Sequence, residues 1–255
     1  MRSMYATPFG VESTLGPIIM TGDNDYEFLW VATARDNVIS GTEPGVFQQS
    51  QRTATSCYMR GLSEKWEIST GSPQPWQHRR IVFTYTGDQI YRTNDVGPDI
   101  PEGDGVGAVF KELSSGYARA FVDLHDVSDS RSVFIGEHLR DLVFKGTRGK
   151  DWQSFMTAGT DNRRIKIISD KTTNIRSAND RGIISKRRFW IPMNRTLVYD
   201  DDENGASTHN SPFSVDHGNT LGDVYIYDMF ISGLGGNEDD ELQLNAQATL
   251  YWHER

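Results

Sequence analysis

The chain has 255 residues, 26 Lys and Arg against 35 Asp and Glu for a formal net charge of −9 at pH 7, and a single cysteine, Cys57. One cysteine excludes an intramolecular disulfide, so stability must come from packing and assembly from non-covalent contacts. No apolar run approaches the ~18–20 residues that span a bilayer, and the opening Met1-Arg2-Ser3-Met4-Tyr5 lacks a signal peptide's apolar stretch, which points to a soluble intracellular product with no membrane partner.

Period-2 alternation dominates the chain. Tyr26, Phe28, Trp30 and Ala32 alternate, Trp66 and Ile68 repeat the pattern, and so do Ile81, Phe83 and Tyr85. Tyr91–Val106 is a long connection rich in Gly, Pro and Asp, of the kind that serves binding or assembly. A helix is expected over Ser130–Leu142 with Phe134, His138 and Leu142 on one stripe, followed by a strand near Leu142–Lys145. In Arg163–Ser169, Ile165 and Ile167 share one face, and Arg164 and Lys166 share the other. In Lys186–Ile191, Phe189 and Ile191 oppose Lys186, Arg188 and Trp190. Thr196–Gly222 is polar and mostly without pattern, whereas Asp223–Ile231 is apolar at nearly every position, as in a strand covered on both sides. The last strand is the clearest. Leu242, Leu244, Ala246, Ala248, Leu250 and Trp252 point one way, and Gln243, Asn245, Gln247, Thr249 and His253 the other. About eight strands, joined by Gly/Asn/Asp/Pro loops with no linker or repeat, predict one all-β domain over residues 1–255. It is an eight-stranded jelly-roll sandwich with long inter-strand loops and one short helix.

Charge is distributed unevenly. Between Lys145 and Arg195 there are 13 Lys/Arg against 4 Asp/Glu, which leaves 13 against 31 elsewhere. An acidic protein that gathers its cations in one segment separates two surfaces, one of which meets a polyanion. Arg163, Arg164, Lys166, Lys171, Arg176, Arg181, Lys186, Arg187 and Arg188 supply nine cations within 26 residues, with Trp152, Phe155, Phe189 and Trp190 within or beside them. Cations that track a backbone, with aromatics on which bases stack, suit sequence-independent binding of single-stranded nucleic acid. Alternation sets Phe189 toward a core and Arg164, Lys166, Lys186 and Arg188 outward.

Signals for catalysis are weak by comparison. Tyr199–Gly205 resembles the opening of a calcium loop, yet the twelfth position holds Ser211 in place of the bidentate Glu, so an acidic turn is expected. No Gly-x-Ser-x-Gly elbow is present, and the histidines show no zinc spacing. Gly146–Asp151 lacks the spacing of a phosphate loop, and His125 reads as a hydrogen-bonded loop residue. No catalytic residue, metal or cofactor is assigned, and the chain reads as a non-enzyme.

Several stretches together resemble a known family. They are Cys57-Tyr-Met-Arg-Gly-Leu62, Pro75-Trp-Gln-His-Arg-Arg-Ile-Val-Phe83, Phe144-Lys-Gly-Thr-Arg-Gly-Lys-Asp-Trp152 and the run from Phe189 to Gly205, with Asn179-Asp-Arg-Gly182 and Ala248-Thr-Leu-Tyr-Trp-His-Glu254. In this order, from about Tyr26 to Arg255, the chain resembles the capsid proteins of genomoviruses, the gemycircularvirus-like relatives of geminiviruses. The resemblance implies a jelly-roll subunit that assembles with identical copies into a small icosahedral shell around circular single-stranded DNA. It further implies residence in the virion and passage through the host nucleus. Capsid proteins of this family are expected to begin with an Arg/Lys-rich arm, and this sequence opens without one. Either the arm is omitted from this chain, or the protein packages DNA differently; in a shell of these chains alone the basic face would have to act locally. The rival expectation is a monomeric jelly-roll carbohydrate-binding module that uses exposed aromatics and the acidic loop Asp200–Glu203.

Overall fold

The structure, a computed structural model, describes residues 2–5, 16–35, 37, 51–86, 90, 111–113, 116–125, 130–205 and 207–254. Eight strands make its frame: β2 (Ile18–Met20), β3 (Tyr26–Val31), β4 (Ser56–Thr70), β5 (Trp76–Tyr85), β8 (Lys166–Ile175), β9 (Ile184–Val198), β12 (Asp223–Ser232) and β13 (Leu242–Glu254). They pair as one long folded hairpin. The innermost pair is β5 with β8, followed outward by β4 with β9, β3 with β12 and β2 with β13, all antiparallel. Rolling that hairpin places β2-β13-β4-β9 in a first sheet and β3-β12-β5-β8 in a second, which is a jelly-roll sandwich.

The expected count of eight is too low for the whole. β1 (Arg2–Tyr5), β6 (Lys111–Leu113) and β7 (Gly116–Phe121) extend the first sheet, with β1 parallel to β7, and β10 (Asp202–Asn204) pairs with β11 (Ser207–His209) in a hairpin. Four of these five strands run 3 or 4 residues, too short to display a period in sequence. The hairpin lies in Thr196–Gly222, where no pattern was legible, and Tyr91–Val106 lies outside the described residues.

Between the sheets, Leu242, Leu244, Ala246, Ala248 and Leu250 of β13 are buried as their alternation predicts, and they meet Leu62, Trp66 and Ile68 of β4 and Trp30, Val82 and Ile226 of the second sheet. The second sheet is covered on its other face too, so β12 is buried from Asp223 to Phe230. The alternation in Tyr26–Ala32 understates this, because Glu27, Leu29 and Val31 are buried as well. Their cover is helix α1 (Ser130–Val143) with the segment that follows it. Ile135, Leu139, Val143, Phe144, Trp152 and Phe155 pack against Leu29, Ile81, Phe83, Tyr225 and Tyr227.

Three expectations here need correction. The helix turns Ile135, Leu139 and Val143 inward, and His138 is exposed, so the buried stripe sits one residue beyond the predicted one. No strand forms near Leu142–Lys145, because the helix runs to Val143 and its last turn continues through Phe144 N–H to Arg140 C=O. The strand expected at Arg163 starts later, at Lys166, since Asp161 holds residues 162–164 in a turn. Ile165 is nevertheless buried in the same cluster that Ile167 packs against.

Candidate nucleic-acid interface

β8 and β9 are consecutive frame strands but edges of opposite sheets, so the turn between them lays the basic segment along one open side of the sandwich. A ten-residue strand is about 33 Å long, which sets the reach of that side. Lys166 and Lys171 on β8, Arg176 and Arg181 on the turn, and Lys186 and Arg188 on β9 are all exposed. Arg187 points the other way and is half-buried. It donates to Thr173 Oγ1 at 2.8 Å and to the Asn174 carbonyl at 3.4 Å, tying the two edges together, and burial holds its guanidinium below the ordinary range.

Beyond the start of β8, Arg163, Arg164, Lys166 and Arg195 line one cleft of about 340 Å³ that Thr84 and Thr220 also border. Asp161 organises its rim. Arg163 donates from Nε to Oδ1 at 3.0 Å and from Nη2 to Oδ2 at 2.9 Å, and these bonds hold the Asp161 carboxyl well below the usual carboxylate range. Arg164 donates to the Asp141 carbonyl at 2.7 Å, and Arg195 to the Thr220 carbonyl at 3.3 Å. Neither of those bonds neutralises charge, so the cleft keeps a surplus of cations.

The register of β4 against β9 fixes a second group on the solvent face of the first sheet. Lys186 lies opposite Glu67, Arg188 opposite Lys65, and Trp190 opposite Ser63. Lys186 Nζ stands 3.3 Å from Glu67 Oε2, but both side chains are well exposed and such a pair adds little. Lys65 and Arg188 are like charges directly opposite one another, which costs an isolated sheet energy and suits a face that meets an anion. Sequence reasoning missed Lys65 and Arg195, which lie on strands whose partners only the fold reveals.

Of the four aromatics within or beside the basic segment, alternation sets Phe189 toward the core, and Trp152 and Phe155 prove to be core residues packed under the second sheet. Phe189 is half-buried, edge-on to Trp66 at 5.3 Å. Trp190, with 53% of its surface exposed, is the one of the four open to solvent.

Arginines outside the basic segment behave differently. Arg80 and Arg119 lie between the sheets, where Arg80 donates to Asp228 at 2.7 and 2.9 Å and to Glu64 at 2.5 Å. Arg119 donates to Asp228 at 2.8 Å and to Glu64 at 3.2 Å. Burial pushes the Asp228 carboxyl up, but Arg80, the His78 hydrogen bond and Arg119 outweigh it and hold it well below the usual range. Arg79 faces the other side of the same strand and is bidentate to Asp170, while Arg52 is bidentate to Asp201 beneath the Tyr199 ring. Arg35 and Arg140 are buried too. Among the described side chains outside residues 145–195, the exposed cations are Arg60 and Lys65, both on β4.

The remaining candidates have structural partners. His125 Nδ1 is 3.0 Å from Glu27 Oε1, and Arg140 reaches the same oxygen at 2.9 Å under helix α1. The Glu27 hydrogen bond raises the His125 imidazole, and burial pushes the neighbouring Asp123 carboxyl up to about 6. Cys57 is buried, with its thiol pushed up to about 11, and in the acidic stretch Asp201 is taken by Arg52. Among the described residues no group of three His, Cys, Asp or Glu side chains gathers as a metal would need. Comparison with known protein families and with curated proteins finds no match for this chain.

Proposed function

We propose that this chain is the coat subunit of a small virus, which self-associates into a closed shell and holds single-stranded DNA without sequence preference. One observation carries the reading. Every exposed Lys or Arg among the described side chains falls either in residues 145–195 or on Arg60 and Lys65 of the adjoining strand β4. With the other described arginines buried, the surface charge is more polarised than the sequence, and a polarised cationic face is what a polyanion requires. The family resemblance supplies the shell, the circular genome and the nuclear stage of assembly. The jelly-roll frame supports it as a scaffold and does not by itself name a function.

For a shell of these 255 residues alone, at −9 each, average electrostatics oppose DNA uptake, and the cationic face then acts locally. The test is negative-stain microscopy of the purified protein across salt and pH, with nuclease treatment of the same sample. Closed particles that shield single-stranded DNA are expected. A monomer under every condition would reject the coat-subunit reading and favour a stand-alone binding module.

A further inference from the structure

The geometry points to a nucleobase-stacking site on the solvent face of the first sheet, built around Trp190 and Tyr251. The inference deepens the proposed function, because it rests on the chain being a binder of single-stranded DNA.

Several backbone irregularities converge on one spot. The β13–β4 ladder shifts register between Tyr251 and Trp252, and the β4–β9 ladder shifts between Met59 and Gly61. Both shifts bracket Arg60, which is exposed with Ser56 and Tyr58; directly after it Gly61 and Leu62 are both buried and the strand changes phase. Opposite, Asn194 adopts φ +48°, in the left-handed region that few residues other than glycine visit. Its Oδ1 accepts from Arg60 Nη1 at 2.6 Å. Bulges re-aim side chains, and here they turn an arginine outward and brace it.

Gly61 completes the arrangement. Its φ is +155°, and a Cβ there would come within 2.7 Å of Trp190 Cζ2 and 2.6 Å of the Ile191 carbonyl. The six-membered ring of Trp190 therefore lies directly on the glycine, which fixes its position, while 53% of the residue stays open to solvent. Tyr251 is paired to the same glycine, is 49% exposed, and meets Trp190 at a centroid distance of 5.9 Å. His253 follows on the same strand, stacked on Tyr58 at 6.4 Å. Covering a strand glycine explains one aromatic. It does not explain a second exposed ring, a third and fourth beside it, and a braced arginine.

Arg60, Trp190, Tyr251 and His253 border a shallow cleft of about 440 Å³. Its ligand is read from its chemistry. Exposed, pre-positioned rings offer a face to a flat π system, and the two rings are inclined at 55°, so a base would stack on one ring rather than slot between both. The charged partner is a guanidinium, with Arg188 two residues from Trp190 on the same face and Lys65 opposite Arg188. A flat ring with a phosphate attached satisfies both features, whereas a neutral sugar would leave the cations without a role. The site takes a nucleotide of single-stranded DNA, with its base on Trp190 and its phosphates toward Arg60 and Arg188.

The test compares labelled oligo(dT) with an abasic oligomer of equal length, titrated by fluorescence anisotropy against the full chain. Wild type should bind oligo(dT) about tenfold more tightly than the abasic strand. Trp190→Ala should lose that preference while binding the abasic strand as before with the same salt dependence, and Trp190→Phe should keep most of it. Tyr251→Ala, a second solvent-face variant, should lose part of the preference. Equal binding of both strands by wild type, or a base preference that survives Trp190→Ala, would overturn the site and leave the proposed function standing. Binding of neither strand by wild type would instead reject the nucleic-acid reading itself. Binding of a neutral oligosaccharide that Trp190→Ala abolishes would assign the cleft to sugars and overturn the proposal.

Discussion

Two sets of cations in this molecule use the same side-chain chemistry to opposite ends. Arg80 and Arg119, between the sheets, share Glu64 and Asp228 and contribute no surface charge. Lys166 and Lys171 on β8 and Lys186 and Arg188 on β9 are exposed and in surplus over nearby carboxylates. The buried set defines the frame that holds the exposed set in one place. The difference teaches that net charge counted along a sequence understates how polarised the folded surface is, because burial removes cations selectively from one part of the chain.

The comparison is broken most severely by attacking the buried set. Asp228→Ala leaves Arg80 and Arg119 short of their shared carboxylate, and truncating one partner of a buried ion pair costs about 3–5 kcal/mol. Urea denaturation should show that loss, and a change under about 1 kcal/mol would mean the cluster is wetter and weaker than its burial implies.

A milder effect comes from pH. The Asp123 carboxyl, raised to about 6, favours the folded state while protonated, and so does the raised His125 imidazole while charged against Glu27. For both groups the folded state binds protons more readily than the unfolded one, so Asp123's share of stability is lost as pH rises from about 4 to 6, and His125's as pH rises above the ordinary imidazole value of about 6.5. Below the ordinary carboxylate range the sign reverses, because Glu27, which His125, Arg140 and Tyr227 hold down against its burial, must then be protonated. Unfolding free energy, followed by melting temperature, should therefore be highest in mild acid and decline toward pH 8, by an amount on the order of 2 kcal/mol. Asp123→Asn should flatten the part of that decline below about pH 6 and leave the part above it to His125. A melting temperature that rises steadily from pH 5 to 8 would contradict the assignment.

The smallest effect on stability is expected from the exposed set. Converting Arg164, Lys166, Lys186 and Arg188 together to Gln should change unfolding free energy by less than about 0.5 kcal/mol per site. It should also flatten the logarithmic salt dependence of single-stranded DNA binding by up to roughly 0.7 per lost phosphate contact. An unchanged slope with weakened folding would mean these side chains serve the structure and not the ligand.

Which parts were legible in sequence follows from how each signal is written. The strands β12 and β13 declare themselves by burial pattern alone, and the outward cations Lys186 and Arg188 follow from the alternation of β9. Arg79 and Arg80 could not be read, since adjacent strand residues face opposite ways and here both ways are interior. Their acidic partners lie 91 and 148 residues away, beyond any local pattern. Arg60 was hidden by the two register shifts, because alternation holds only while the ladder is regular. The helix was placed correctly and its inward stripe misjudged, since one residue of frame is about 100° around a helix.

The most direct test is ultraviolet cross-linking of bound poly(dT) to the assembled protein, with the attached peptides mapped by mass spectrometry. The account predicts cross-links confined to residues 163–166, the β8–β9 edge and the solvent face of β4 and β9. Cross-links concentrated on helix α1, or on the acidic loop Asp200–Glu203, would contradict it.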